Sequence, residues 1–170
     1  LIAKGADVNA VVTNVGTPLH YAAMKGHKEV AELLIAKGAD VNTVVINSGT
    51  PLHYAVQRGY KEIAELLINK GADINFYKRG VSETPLNRAN RYKQIETAEL
   101  LRKYGGKTRL WFKAEESIHI AVKVGHIEAV KQHIAAGADV NVIGKFRKAS
   151  PLYMAAYSYN AEATKFLLEN

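Results

Sequence analysis

The sequence contains no cysteine, which excludes disulfide bonds and thiolate metal sites. This absence is compatible with a reducing intracellular compartment, although any targeting segment would lie outside these residues. There is no apolar run of the ~18 residues that a membrane-spanning helix needs, so no membrane segment is predicted. Hydrophobic residues make up 48% and charged residues 23% of the chain, a balance typical of folded globular proteins.

Acidic residues are in the minority. The chain has 16 Asp and Glu against 23 Lys and Arg, which gives a net charge of +7. Such an excess favours acidic partners and accelerates encounter with them. It leaves the identity of an acidic partner open.

Two sequence markers repeat along the chain. Gly-Ala-Asp-Val/Ile-Asn begins at residues 5, 38, 71 and 137, so the first three copies are 33 residues apart and the fourth lies 66 further on. A second marker begins as Thr-Pro-Leu at residues 17, 50 and 84, with weaker copies at 116 and 150. Its fourth positions fall at 20, 53, 87, 119 and 153, which are steps of 33, 34, 32 and 34. Two markers that share one period indicate a repeat architecture.

The sequence therefore resembles the ankyrin-repeat family over essentially its whole length. The resemblance implies an all-α ankyrin-repeat solenoid of stacked helix-turn-helix repeats joined by β-hairpin loops. We expect a single domain over residues 1–170, with five repeat starts after a partial repeat. The predicted repeats span residues 1–12, 13–45, 46–79, 80–111, 112–145 and 146–170. Because both ends fall inside a repeat, we also expect the sequence to be a piece of a longer protein.

Local sequence signals agree with this fold. Thr17 is predicted to cap a first helix with its hydroxyl, and Gly26 to end that helix in the left-handed conformation. Val30, Leu33 and Leu34 recur at helical spacing, which predicts a second helix ending at Gly38. Stacked helix pairs would bury one continuous apolar stripe, and end-to-end stacking on a neighbouring molecule is possible through uncapped ends.

No motif predicts catalysis. Residues 105–108 read Gly-Gly-Lys-Thr, but a leucine-rich helix precedes them where a phosphate-binding loop needs a strand and an earlier glycine. His20, His53 and His119 share one repeat position and have no metal-site spacing; by the resemblance, their imidazoles tie a hairpin to a helix. The aspartates also follow the repeat, which predicts a turn role. We therefore expect no enzyme activity, no metal and no cofactor.

The resemblance implies that a protein partner meets the first helices and the hairpin tips. The predicted partner-binding residues on the first helices are Met24, Lys25, Gln57, Arg58, Arg91, Tyr92, Lys123 and Tyr157. One interpretation is a ladder of the four cations at 25, 58, 91 and 123 that recognises an acidic partner, with aromatic contacts. The other is that these charges only solvate an exposed face.

The hairpin tips change in character along the chain. The first two are apolar and β-branched, and the later ones are basic and aromatic, with Tyr77, Arg79 and Trp111 as candidate contacts. Packing of Val11, Val44 and Trp111 against neighbouring tips is the alternative. Basic and aromatic residues in alternation also suit nucleic acid or another polyanion, which stays the second functional hypothesis.

Overall fold

The computed structural model describes residues 5–13, 15–77, 80–144 and 148–170, and this part of the chain is helical. It falls into two compact units, residues 1–108 and 109–170. The helices of the first unit are α1 (Pro18–Lys25), α2 (Lys28–Ala36), α3 (Pro51–Arg58), α4 (Lys61–Asn69), α5 (Pro85–Arg91) and α6 (Ile95–Lys103). Those of the second unit are a 3-10 helix (Trp111–Glu116), α7 (Ile118–Val124), α8 (Ile127–Ala135), α9 (Pro151–Tyr157) and α10 (Ala161–Glu169).

The first helix of each early repeat begins at the predicted Thr-Pro pair. Thr17 donates its backbone N–H to Nδ1 of His20 at 3.2 Å, and its hydroxyl lies 2.9 Å from the same nitrogen. Pro18 occupies the first turn, where a missing N–H costs nothing. Gly26 ends the helix with a φ of 81°, as predicted. The second helix ends slightly earlier than predicted, because α2 stops at Ala36 and Gly38 lies two residues beyond it.

Small residues bring successive first helices close together in the first unit. Helix α1 packs against α3, and α3 packs against α5. Ala22 and Ala55 are fully buried in this core beside Leu19 and Leu52. Gly26 has a second role here, since a Cβ built on it would lie 2.8 Å from the ring of Tyr60 in the next repeat. The glycine therefore permits both the left-handed turn and the close approach of the following repeat.

Neighbouring hairpins are joined by a ladder of side-chain hydrogen bonds. Asn9 donates to the carbonyl of Gly38 at 3.1 Å and accepts from the N–H of Asp40 at 2.9 Å. Asn42 repeats both bonds one repeat later, to Gly71 at 2.9 Å and from Asp73 at 2.8 Å. Each repeated aspartate accepts from the N–H two residues on, as in Asp40 with Asn42 at 2.8 Å. The turn role predicted for the aspartates is confirmed.

The recurrence of histidine at one repeat position is also explained by hydrogen bonds between hairpin and helix. His20 reaches the carbonyl of Gly49 at 3.3 Å through Nε2, and His53 reaches that of Glu83 at 3.1 Å. In the second unit, Nε2 of His119 lies 3.1 Å from the carbonyls of Val142 and Ala149. Since Nδ1 accepts from Thr17 in the first repeat, Nε2 carries the proton and donates across the hairpin.

The glycine-lysine segment after α6 is a helix end, as predicted. Gly105 has a φ of 83°, and the N–H of Gly106 donates to the carbonyl of Leu101 at 2.7 Å. Such a bond closes the C-terminus of a helix. Lys107 then donates its N–H to the side chain of Asn75 at 2.7 Å, which continues the hairpin ladder.

The second unit contains a helix where sequence analysis expected only a hairpin tip. Residues from Trp111 form a 3-10 helix that packs against α7. Ala114 in this helix is fully buried, and its carbonyl lies 3.0 Å from Nε2 of His133 on α8. Trp111 stacks on His126, with ring centroids 4.3 Å apart. These contacts explain why the segment is helical rather than an open turn.

Candidate protein-binding surface

The predicted partner-binding residues of the first unit lie together. We define the first-helix surface as the C-terminal ends of α1, α3 and α5, which comprise Met24, Lys25, Gln57, Arg58, Arg91 and Tyr92. The three helices form one row, because α1 packs against α3 and α3 against α5. Lys25, Arg58, Arg91 and Tyr92 are exposed, while Met24 and Gln57 are half-buried.

The three exposed cations of this surface have different surroundings. The ammonium of Lys25 lies 5.6 Å from the ring centroid of Tyr21, within the range of a cation–π interaction. The side chain of Arg58 makes no hydrogen bond or ion pair with any residue that the structure describes. The side chain of Arg91 is 66% exposed, but its Nη1 lies 3.2 Å from Oε1 of Glu83. Arg91 is therefore held by the protein, whereas Arg58 is not.

Glu83 and Arg88 complete a buried ion pair that sequence analysis missed. Nε of Arg88 donates to Oε1 of Glu83 at 2.8 Å, and the two side chains are only 9% and 14% exposed. Nη1 of Arg88 also donates to the backbone carbonyl of Ser48 in the preceding hairpin. The first two repeats have Gly and Tyr at the positions of Glu83 and Arg88. The joint appearance of an acidic and a basic residue at these two positions is the sequence signal from which the ion pair could have been predicted.

The buried ion pair also affects a neighbouring histidine. Burial, reinforced by the positive charge of Arg88, lowers the pKa of His53 from 6.5 to about 4. Burial likewise lowers the pKa of His20. Both imidazoles are therefore neutral at physiological pH and act as structural hydrogen-bonding groups.

Charge is segregated between the two rows of helices in the first unit. Helices α1, α3 and α5 carry four Lys or Arg and no Asp or Glu. The second row, in which α2 packs against α4 and α4 against α6, carries six Glu against four Lys or Arg. Two of those lysines already pair with Glu, Lys28 with Glu32 and Lys61 with Glu96. The first-helix surface is thus positive, whereas positive and negative charges are mixed along the second row, where Lys37 and Lys70 follow α2 and α4 directly.

The hairpin tips of the first unit add exposed apolar area. Val11, Val12 and Ile46 are exposed, while Val44 is half-buried. A cavity of about 690 Å³ beside the second tip is lined by Asp40, Asn42, Thr43, Val44, Ile46 and Gly80. Both carboxylate oxygens of Asp40 already accept hydrogen bonds within this hairpin. Tyr77 in the third tip is half-buried, and Arg79 lies outside the described residues.

The remaining predicted residues belong to the second unit. Lys123 near the end of α7 is exposed. Tyr157 at the end of α9 is exposed and stacks on Tyr153, with ring centroids 6.3 Å apart. Trp111 is half-buried against His126. The four-cation ladder predicted from sequence thus has three members in the first unit and Lys123 in the second, and its continuity stays a prediction.

An apolar face of α2 is exposed where the equivalent face of α4 is covered. Val30 is 48% exposed, whereas Ile63 at the same repeat position is 2% exposed. Leu33 on the same helix is also exposed. This face could accept another repeat, and end-to-end stacking of molecules through it stays a prediction.

These helix pairs, hairpin ladders and buried histidines define a helical-repeat protein. A family model described as ankyrin repeats (3 copies) matches residues 1–78, 45–110 and 118–170. The chain belongs to the ankyrin-repeat family, and the fold class predicted from sequence is confirmed. No curated protein matches the chain significantly.

Membership of this family sets the general role of the chain. Ankyrin repeats generally mediate protein–protein interactions, and domains built from them are typically non-enzymatic scaffolds. Among the described residues we find no helix that combines the length and the hydropathy of a membrane-spanning segment.

Proposed function

We propose that the chain is an interaction scaffold whose first-helix surface binds an acidic segment of a protein partner. The observation that carries this proposal is the charge segregation in the first unit, where the first helices contain cations and no acid. An acidic segment on this surface would meet no like charge from α1, α3 or α5. Glu83, which precedes α5, is contacted by two arginines. Such complementarity raises association rates and excludes basic partners.

Exposed and half-buried aromatic and apolar groups would supply contact area for the same partner. Tyr92 lies beside Arg91 at the end of α5, and Met24 lies beside Lys25 at the end of α1. Tyrosine and arginine are enriched among the residues that dominate binding energy. The apolar tips at Val12 and Ile46 would extend the contact beyond the charged ends of the helices.

Selection from a display library of random peptides tests the chemistry of the partner while leaving its identity open. We expect enriched peptides to be rich in Asp and Glu, and binding to weaken as salt rises. Enrichment of neutral or basic peptides would contradict the proposal. Tighter binding of a single-stranded oligonucleotide than of any peptide, with a steep salt dependence, would favour the nucleic-acid hypothesis instead.

Charge reversal locates the binding surface. Lys25→Glu combined with Arg58→Glu should slow association with octaglutamate, because both substitutions replace an attractive charge on the first-helix surface with a repulsive one. The matched control is Lys37→Glu with Lys70→Glu, which makes the same charge change at the exposed C-terminal ends of α2 and α4. Equal effects of the two double variants would show that only net charge matters and that the first-helix surface is not the site.

A further inference from the structure

Arg91 differs from the other cations of the first-helix surface because the protein fixes its guanidinium. Its Nη1 is held 3.2 Å from Oε1 of Glu83, while most of the side chain remains exposed to solvent. Glu83 is itself held at 2.8 Å by the buried Nε of Arg88. Arg88 is in turn anchored on the carbonyl of Ser48. A chain of three contacts therefore connects a surface arginine to the backbone of the preceding hairpin.

The charges of this cluster leave Arg91 available to an anion. Glu83 contributes one negative charge, and Arg88 and Arg91 contribute two positive charges, so the cluster keeps a net charge of +1. Because Arg88 already neutralises the carboxylate of Glu83, the positive charge of Arg91 remains available to an anion. The guanidinium has five N–H donors in a planar fork, and the contact with Glu83 is made through Nη1 alone.

From these contacts we infer that Arg91 recognises the partner by binding an Asp or Glu carboxylate of the acidic segment in a bidentate manner. The inference rests on the proposed function and adds the recognising residue and the recognised group. A planar fork that is already fixed loses less side-chain entropy on binding than a free one. Arg58 carries the same group without an anchor among the described residues, so it serves as an attracting charge. Glu83 and Arg88 are positioning residues.

The replacement in the third repeat supports a specialised role for this cluster. The first two repeats have Tyr21 and Tyr54 at the position of Arg88. Tyr54 lies edge-on to the ring of His20, with centroids 5.6 Å apart, so a tyrosine suits this position structurally. Arg88 needs Glu83 as a counter-ion in a buried site. Among the three repeats of this unit, only the third therefore has a buried arginine, Arg88, at this position.

The experiment compares conservative lysine variants with octaglutamate as the probe. Arg91→Lys keeps the charge but removes the planar fork, and we expect its Kd to rise about fivefold, or roughly 1 kcal/mol at 1.4 kcal/mol per tenfold. Arg58→Lys, the matched control, should change Kd less than about twofold, since a mobile charge is replaced by another. Equal effects of the two variants would overturn the inference. Failure of the unmodified chain to bind octaglutamate would overturn the proposed function and the inference together.

A second variant tests the anchor rather than Arg91 itself. Glu83→Gln with Arg88→Tyr keeps the net charge, leaves no buried arginine unpaired and introduces the tyrosine of the first two repeats. We expect its Kd to rise as much as that of Arg91→Lys, with α-helical circular dichroism unchanged. Unchanged affinity in the folded double variant would overturn the anchoring role.

Guanidinium NMR provides a readout that a merely structural contact would not move. In the free protein, rotation about the Cζ–N bonds should be slower for Arg91 than for Arg58. Octaglutamate should then shift the Arg91 guanidinium signals more than those of Arg58. This measurement does not depend on the double variant being folded. Larger shifts at Arg58 than at Arg91 would contradict the assignment.

Discussion

The buried histidine of the second repeat makes stability depend on pH. His53 is completely buried and its pKa is lowered to about 4. Because the folded pKa lies below the unfolded value of 6.5, protonation favours the unfolded chain. The stabilising contribution is complete above pH ~6.5 and is lost as pH falls toward the folded value of about 4. Protonation of Nδ1 would also remove the hydrogen bond it accepts from the backbone N–H of Thr50.

The size of this effect follows from proton linkage. With one site at 6.5 in the unfolded chain and about 4 in the folded chain, lowering the pH from 7.5 to 5 costs about 2 kcal/mol from His53 alone. The lowered pKa of His20 adds a loss in the same direction. Since single domains have ~5–15 kcal/mol of stability, a change of this size is readily measured.

Urea unfolding followed by circular dichroism at both pH values measures the effect directly. His53→Asn introduces the residue that the third repeat has at this position, Asn87. We expect the variant to be less stable at pH 7.5 but to lose about 2 kcal/mol less than the unmodified chain on acidification. His27→Asn makes the same substitution at an exposed histidine and serves as the matched control. An equal loss in the unmodified chain and in His53→Asn would refute the assignment of the acid sensitivity to His53.

Two further substitutions test the packing and the hairpin ladder. Gly26→Ala should destabilise the chain more than Gly38→Ala. Both glycines have a positive φ, but only Gly26 faces the ring of Tyr60. Equal decreases in the thermal unfolding temperature of the two variants would contradict this packing role. Asn42→Ala should lower the free energy of unfolding by about 1–3 kcal/mol, because it removes two hydrogen bonds to the next hairpin. The control Asn141→Ala should cost less, since the side chain of Asn141 forms no such pair of bonds among the described residues. A larger loss of stability for Asn141→Ala would contradict the role of the hydrogen-bond ladder.

Much of the fold could be predicted because the signals lie within each repeat. Thr17, Pro18 and Gly26 act through their own or adjacent backbone groups, so their roles can be inferred from short segments. The recurrence of His20 and His53 at one repeat position predicts that both make the same contact, and each imidazole does reach a carbonyl of the following hairpin. Each helix-start signal is weak by itself, but its recurrence at a period of about 33 residues predicts the repeat fold specifically.

The parts that were not predicted depend on contacts between repeats. Glu83 and Arg88 look like ordinary surface charges in the sequence, whereas in the fold Arg88 reaches the carbonyl of Ser48 and both side chains are largely buried. The 3-10 helix at Trp111 likewise depends on stacking with His126. Such contacts join residues that are distant in sequence, and periodicity does not encode them. The positions of the predicted surface cations could be inferred, but the anchoring of Arg91 could not.

Amide chemical-shift mapping with octaglutamate is the most direct test of an acidic binding site on the first-helix surface. We predict that the largest shifts fall at the C-terminal ends of α1, α3 and α5, at residues 24–25, 57–58 and 91–92. Amides of α2, α4 and α6 should move little, because those helices present glutamates to the probe. Shifts concentrated on the second helices, or on residues 107–113 alone, would contradict the proposed site.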